Sequence, residues 1–489
     1  MIQKIVLLQI TFIIFLPGCL IAQQQHETKF EQSKGFETVT YQEGILWFSN
    51  LARDFPSLEI REIGETDSGF PLHLIIFSAD QDFDFTSLRN KKRKIILINN
   101  AIHPGEPDGV DASMMLLRNL ARDKKAISLY KDIVLVVIPF YNIGGALNRN
   151  NTSRVNQNGP RAYGFRGNAQ NLDLNRDFIK MDSKNAQTFT RIFHLTDPDV
   201  FVDNHVSNGA DYQHVMTMLE TQPDKLGGAL GNYLKNKLMP ELEDRMAEKN
   251  FNMIPYVNVY NTTPDAGYNQ FLDLPRYSSG YTTLFHTLGF VPETHMLKPY
   301  KQRVEATYAF LESLLEVVAE EGNHIQQLRD QTKLNIKNQK EFVIDWELDK
   351  SSSKNINFKG FEGKLVKSEL TGGKRLFYDR NKPFEKPIPF FNKYVPKTAI
   401  EKPKAYLLPK GWHKVIDRLK LNEVELQVLE NDTIIEVESY FIEDYKTVEK
   451  PYEGHYLHFD TKVRKQLKRV PFIKGDYIIY TDQAANRYL

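Results

Sequence analysis

Cysteine is nearly absent from this chain: one, Cys19, in 489 residues. That excludes an internal disulfide framework and any thiolate zinc finger, so a metal site here has to be built from His and carboxylate. An excess of charge of either sign is absent too, with 63 Lys and Arg against 62 Asp and Glu. The balance leaves no net field to hold a polyanion and argues against nucleic acid as a partner. Long apolar runs are missing beyond the first two dozen residues, as are internal repeats, low-complexity tracts and long linkers. At roughly 100–200 residues per domain, the length implies two or three domains.

The one apolar run opens the chain. In MIQKIVLLQITFIIFLPGCLIAQQQ, Lys4 supplies positive charge and Ile5 to Leu16 is almost unbroken hydrocarbon, short for a membrane-spanning helix and suited to a secretory signal over residues 1–22. Two processing routes compete. Leu16-Pro17-Gly18-Cys19 resembles a lipobox, with Pro17 an unusual occupant, and would make Cys19 the lipidated first residue; cleavage after Ala22 would release a free chain. Either route exports the protein, to the periplasm or the exterior, and only a lipidated Cys19 would tie it to a membrane.

Beyond Gln25 the pattern alternates. Gly44 to Arg53 has helical spacing, and Leu58 to Ile63 with Leu72 to Phe77 reads as a strand pair around the turn at Asp67-Ser68-Gly69. Lys94 to Asn99 and Ile133 to Pro139 are apolar throughout and flank an amphipathic helix from Val110 to Arg122. Further along come a helix near Ser183 to Leu195, a strand Val200 to Asn204, a long charged helix Lys225 to Lys249, a helix Tyr281 to Leu288, a strand Phe290 to Pro292 and a helix Tyr300 to Glu320. Strands apolar on both faces that alternate with helices predict an α/β domain, with a mixed, mostly parallel sheet sandwiched by helices, over residues 35–329. From 330 to 489 the texture turns polar and turn-rich, which predicts a smaller β-rich α+β domain. Its expected strands are Phe342 to Trp346, Lys404 to Leu408, Val424 to Leu429 and Tyr477 to Tyr480, with a helix Trp412 to Leu421. Its role stays open, and a folding module without chemistry is the favoured reading.

The reactive residues gather at three strand exits. KIILINNAIHPGEPDG puts His103 and Glu106 directly after a buried strand, three apart, with Gly105 to relax the backbone between them. DVFVDNHVSNG ends a second strand at Asp203-Asn204-His205, and GFVPETH places Glu293 at the end of a third. Ligands of open α/β sheets bind outside the carboxyl ends of the strands, so these segments would meet on one edge. Two His and one Glu leave a tetrahedral zinc one open position, the arrangement of a catalytic site, and a further carboxylate nearby can take a proton from water.

The order of these motifs resembles the zinc metallocarboxypeptidases of the carboxypeptidase A type over roughly residues 40 to 320. His103-Pro104-Gly105-Glu106 is followed by Asp173-Leu174-Asn175-Arg176-Asp177-Phe178, then His205, then Glu293. The resemblance implies one zinc ion held by His103, Glu106 and His205, with Asp173 orienting a ligand His. Glu293 becomes the general base, and Asn175 with Arg176 the clamp for the terminal carboxylate of a peptide substrate. Arg154 is implied to polarise the carbonyl under attack, with Arg149, Arg161 and Arg166 as neighbouring competitors. Tyr277 is the candidate for the tyrosine that closes over substrate, against Tyr268 and Tyr281. His295 rivals Glu293, but two residues apart in an extended segment their side chains take opposite faces.

Departures from the family pattern bound the reading. Pro104-Gly105 stands where the digestive enzymes carry an arginine, Thr294-His295 follows Glu293 in place of Leu-Arg, and no residue fixes a side-chain preference. The expected activity is removal of the C-terminal residue of a peptide. One rival is a zinc amidase acting on cell-wall peptides or N-acyl amino acids. Another is a non-catalytic peptide- or glycan-binding protein on the same scaffold. Oligomeric state is not readable.

Overall fold

A computed structural model describes residues 26–489; the signal segment and Cys19 lie outside the described residues. The first domain is built on a nine-stranded mixed sheet. Its strands are β1 (Leu58–Glu65), β2 (Pro71–Ser78), β3 (Lys94–Asn99), β4 (Ile133–Ile138), β5 (Val200–Asp203), β6 (His205–Ser207), β7 (Met216–Glu220), β8 (Ile254–Pro255) and, after a two-residue strand β9 (Tyr268–Asn269) that belongs elsewhere, β10 (Leu288–His295). They run in the order β1-β2-β4-β3-β5-β10-β7-β8, with β6 beside the end of β10. β3 pairs in parallel with β4 and β5, and β10 in parallel with β5 and β6; the β1–β2, β2–β4 and β7–β10 pairs are antiparallel. Every residue of β3 and β4 is buried, which is why Ile95 to Ile98 and Ile133 to Ile138 are continuous hydrocarbon rather than alternating.

Helices cover this sheet. Thr40 and Glu43 form a reciprocal capping box that starts the helix Tyr41–Asp54 and turns Phe48 and Leu51 into the core. The helix Asp108–Arg122 packs along Tyr300–Asn338, which also lies against β3, β7 and β10. That last helix has 39 residues and runs past Glu320 and through the 329/330 boundary expected between domains. Buried Arg329 ties it to the sheet there, donating to Asp199 at 2.7 Å and to Asp197 at 2.8 Å.

The expected helix Lys225 to Lys249 is corrected to a broken one: Pro223–Leu226, Gly228–Tyr233, a π turn Leu234–Leu238, then Met239–Glu248. Gly227 and Gly228 both take positive φ (68° and 58°) and end the first piece. Pro240 has no N–H to give the carbonyl four residues back, and the turn ahead of it widens.

The remaining chain is more strand-rich than its texture suggests. β11 (Glu341–Leu348) pairs with β14 (Tyr394–Glu401), β12 (Lys354–Lys367) with β13 (Lys374–Phe391), and β15 (Ala405–Leu408) and β16 (Gln427–Val428) with β19 (Tyr477–Tyr480). A ribbon of β17 (Thr433–Thr447) and β18 (His458–Phe472) stands apart, and a helix covers His413–Leu421. The end of β13 pairs in parallel with β9, stitching this region to the first domain.

Candidate metal centre and cleft

The chain leaves β3 through Ala101, a non-glycine residue at φ 54°. It then turns so that the Glu106 amide donates to the His103 carbonyl at 2.8 Å. His205 begins β6 immediately beyond β5, in parallel register with Glu293 on β10. Three strand exits therefore bring His103, Glu106 and His205 together, 3%, 3% and 4% exposed, with one potential ligand atom from each inside 4.8 Å of the others. His103 Nδ1 lies 3.2 Å from Glu106 Oε1, and His205 Nδ1 lies 3.1 Å from Glu106 Oε2.

Both imidazoles are held from behind. His103 Nε2 meets Asp173 Oδ1 at 3.0 Å and His205 Nε2 meets Asp203 Oδ2 at 3.1 Å, so each ring can give its proton to a carboxylate and turn its Nδ1 lone pair inward. Asp203 is itself fixed by the Asn99 amide at 3.0 Å. This donor set fits zinc: two imidazole nitrogens and one carboxylate, each with its orienting partner. Asp203 as a positioning group was not recognised in the sequence, although an acid two residues before a ligand His on a strand was a signal for it.

Charge at the centre is strongly coupled. Burial alone would raise the Glu106 carboxyl, but the Arg154 guanidinium and His103 outweigh it and hold the group well below the usual range. Burial would lower His205, yet Asp203 and Glu106 hold its imidazolium form well above the ordinary value. Asp173 is kept far below its ordinary value, against burial, by His103 and Arg166. Glu293 goes the other way: burial, with help from Glu106 and Asp203 and against His205 and Arg154, pushes it up to about 8.

These groups open onto one cleft of about 1200 Å³, and Glu293, Arg154, Asn175, Arg176 and Tyr277 all line it. His295 does not: its Nε2 accepts no role there but lies 2.7 Å from the Ala210 carbonyl, with its ring against Tyr212 at 4.5 Å. Thr294, between them, donates to Asp108 Oδ2 at 2.5 Å, which fixes the strand end that carries Glu293.

Arg154 reaches Glu106 Oε1 at 2.6 Å, Gln157 at 2.5 Å and the Val206 carbonyl at 2.9 Å. Of its competitors, Arg149 is spent on the Val39 and Ala162 carbonyls and Arg161 pairs with Glu37. Arg166 does line the cleft, pairing with Asp173 at 2.8 Å. Gly105 serves differently from the expectation. Its φ is not positive; instead a Cβ there would stand 2.6 Å from Arg154 Cδ, so the missing side chain makes room for the arginine stem.

Arg176 lies with its guanidinium carbon 4.7 Å from the centre of the Tyr277 ring and donates Nη1 to the Asn175 carbonyl at 2.7 Å. The Tyr277 hydroxyl accepts from Arg276 at 2.9 Å. Tyr268 and Tyr281 are buried away from the cleft, donating to the Pro255 carbonyl and the Asn422 side chain. Tyr256 and Tyr260, unmarked by any motif, line the cleft as well.

Two segments of the second region reach this site. Leu376 and Tyr378 of β13 line the cleft, and the Glu453 carboxylate, in the turn between β17 and β18, accepts from the Asp173 amide at 2.8 Å. Neither was visible in the sequence, because 280 residues separate Glu453 from its partner.

The fold and the site together define a metal-dependent hydrolase of the open α/β type. Residues 45–220 match the family model described as zinc carboxypeptidase. That segment is a zinc carboxypeptidase domain, which makes the protein a metallocarboxypeptidase by domain content, and the His103, Glu106 and His205 cluster is the donor set a zinc cofactor needs. "Probable carboxypeptidase 2" of Trichophyton verrucosum (strain HKI 0517) is 20% identical over 461 residues, spanning 89% of this chain and 79% of the relative. Among solved structures, a metallo-carboxypeptidase from Burkholderia cenocepacia aligns at TM-score 0.41 and 16% identity, covering 58% of this chain and 70% of the other. The metallo-carboxypeptidase from Pseudomonas aeruginosa in complex with (2-guanidinoethylmercapto)succinic acid aligns at TM-score 0.43 and 14% identity, covering 57% and 69%.

Proposed function

We propose that the protein is an exported carboxypeptidase that hydrolyses the C-terminal peptide bond of its substrates. The observation that carries the exopeptidase reading is Arg176. It lines the cleft, and among the described residues only its Nη1 has an acceptor, the Asn175 carbonyl at 2.7 Å, with Asp173 a longer 3.8 Å away. Two edges of the guanidinium fork are thus left for a substrate carboxylate, the partner that fork suits best. Export rests on the signal-like residues 1–22, with attachment through Cys19 as its lipoprotein form.

His103, Glu106 and His205 would hold the ion. When bound, zinc supplies Lewis-acid polarisation of a carbonyl and acidifies water. Asn175 and Arg176 hold the terminal carboxylate, which sets the last peptide bond beside Glu293. Glu293 accepts a proton from the attacking water as the C–O bond forms, and the carboxyl then returns that proton to the amine nitrogen as the C–N bond breaks. Arg154 places positive charge where the carbonyl oxygen gains negative charge. Asp173 and Asp203 keep the imidazoles in one tautomer throughout.

Digestion of a peptide library by the zinc-loaded protein, read by mass spectrometry, tests this. Loss of single residues from the C-terminus is the expected result, and Arg176→Ala should cost far more on free than on amidated peptides. Internal cuts, or equal loss on both substrate types, would turn the reading to an endopeptidase or an amidase.

A further inference from the structure

The β12–β13 hairpin does more than fold beside the catalytic domain. It is fastened across two loops that border the cleft. Gln213 donates its amide to the Gly360 carbonyl at 2.9 Å and to Phe384 at 3.1 Å, and Arg380 pairs with Asp211 at 2.7 Å. On the other side the Tyr378 hydroxyl reaches the Thr262 carbonyl at 3.5 Å. Leu376 and Tyr378 sit two apart on one strand, share a face, and both line the cleft. Opposite Tyr378 in the ladder stands Gly363, where a Cβ would collide with the Thr263 methyl, so the missing side chain lets the Thr262–Thr263 loop pack beside that ring.

The position of this wall follows from the rings between it and the clamp. Arg176 stacks on Tyr277, Tyr277 lies 5.1 Å from Phe271, and Phe271 lies 6.3 Å from Tyr256. Only beyond Tyr256 does the chain reach the loop with Tyr260 and Thr262, against which Tyr378 rests. The hairpin is therefore separated from the carboxylate clamp by a row of aromatic rings. A peptide anchored at Arg176 and cut beside Glu293 can extend its upstream residues along the cleft toward that end.

We infer that the β12–β13 hairpin is part of the substrate site, with Leu376 and Tyr378 taking the side chains upstream of the bond cut and favouring apolar or aromatic ones. This rests on the carboxypeptidase reading above. It gives the β-rich region a role in choosing substrates, and it makes chain length matter: a substrate with one residue ahead of the cut cannot use the wall.

The test uses the full zinc-loaded chain and two peptides ending in the same Gly-X, where X is the residue the wild type releases fastest: acetyl-Gly-X and acetyl-Phe-Leu-Gly-X. The wild type should show a lower KM for the longer peptide. In Leu376→Ala and Tyr378→Ala the ratio of kcat/KM, long over short, should fall roughly three- to tenfold through KM, the size expected for a lost aromatic or apolar contact. Tyr378→Phe should keep the wild-type ratio. Leu376, outside the cluster of Tyr212, Phe358 and Phe390 against which Tyr378 packs, is the variant that tests the contact without loosening the hairpin. An unchanged ratio in folded Leu376→Ala and Tyr378→Ala overturns the inference while leaving the function standing. A wild type that releases no residue from either peptide overturns both.

Discussion

Arg303 grips Asp108 from behind the metal centre, Nε to Oδ2 at 3.0 Å and Nη2 to Oδ1 at 3.3 Å, with both side chains almost wholly buried. The same guanidinium takes the carbonyls of Lys298 at 3.0 Å and Gly159 at 2.9 Å. One cation thus joins the turn after Glu106, the segment after Arg154 and the segment after Glu293. Arg303→Met leaves Asp108 buried without its partner, a change that typically costs about 3–5 kcal/mol. Denaturant titration should show a loss of that size, and Arg303→Met combined with Asp108→Asn should recover part of it.

Glu293→Gln should lower kcat by at least a hundredfold to ten-thousandfold, the range general-base removal commonly spans, and leave zinc content at one ion per chain by metal analysis. Retained turnover would take the base role away from Glu293.

Gly105→Ala tests the space claimed by Arg154. The new methyl would meet Arg154 Cδ at 2.6 Å and the Gly164 carbonyl at 3.2 Å, so the arginine stem must move. A displacement of that order is expected to reduce kcat by about tenfold to a hundredfold with the melting temperature nearly unchanged, and Gly105→Ser should do the same.

Zinc binding at pH 7 should release protons. In the ion-free protein the Asp203 and Glu106 carboxylates outweigh burial and hold His205 protonated well above its ordinary value, whereas a ligand imidazole must be neutral. Calorimetry in two buffers of different ionisation enthalpy reads the number released. Asp203→Asn should reduce that number and weaken zinc about ten- to a hundredfold, the usual cost of losing such a partner.

Asp111 predicts a pH dependence of stability. It is fully buried beside the Tyr300 hydroxyl, and burial, with the Asp108 charge adding to it, pushes its carboxyl up to about 7. The folded state then holds this proton more tightly than the unfolded chain does. Its contribution is complete below about pH 4 and is lost as pH rises toward 7, up to about 4 kcal/mol in all. Unfolding free energies measured across that window should fall less steeply for Asp111→Asn than for the wild type.

The readability of these features in the sequence followed burial and chain distance. Lys94–Asn99 and Ile133–Ile138 were legible to within a residue because strands buried on both faces carry an unbroken apolar run, Ile95 to Ile98 in the first and all six residues of the second. His103, Glu106, His205 and Glu293 were legible because each stands where a strand ends. β17 and β18 were not, since a two-stranded ribbon with both faces largely exposed has no apolar side to keep: β18 reads HFDTKVRKQLKRVPF and is exposed for most of its length. β12 and β13 were not either, because their buried hydrophobic residues, Phe358, Ile388 and Phe390, sit only at one end of long polar strands. Asp108, Arg303 and Glu453 were illegible for another reason. Their meaning lies in partners far along the chain, and no local spacing encodes such a pairing.

The helix Tyr300–Asn338 is a ready-made ruler. At about 1.5 Å per residue it is roughly 58 Å long, with Arg303 fixed behind the catalytic centre and Ile336 near its far end accepting from buried Asn486 at 3.2 Å. Spin labels on exposed Gln302 and Lys337, paired in turn with one at the exposed Leu370 between β12 and β13, would triangulate the hairpin against a rigid baseline. Distances read with and without a bound peptide would then show whether the enzyme meets its substrate with a fixed wall or a moving one.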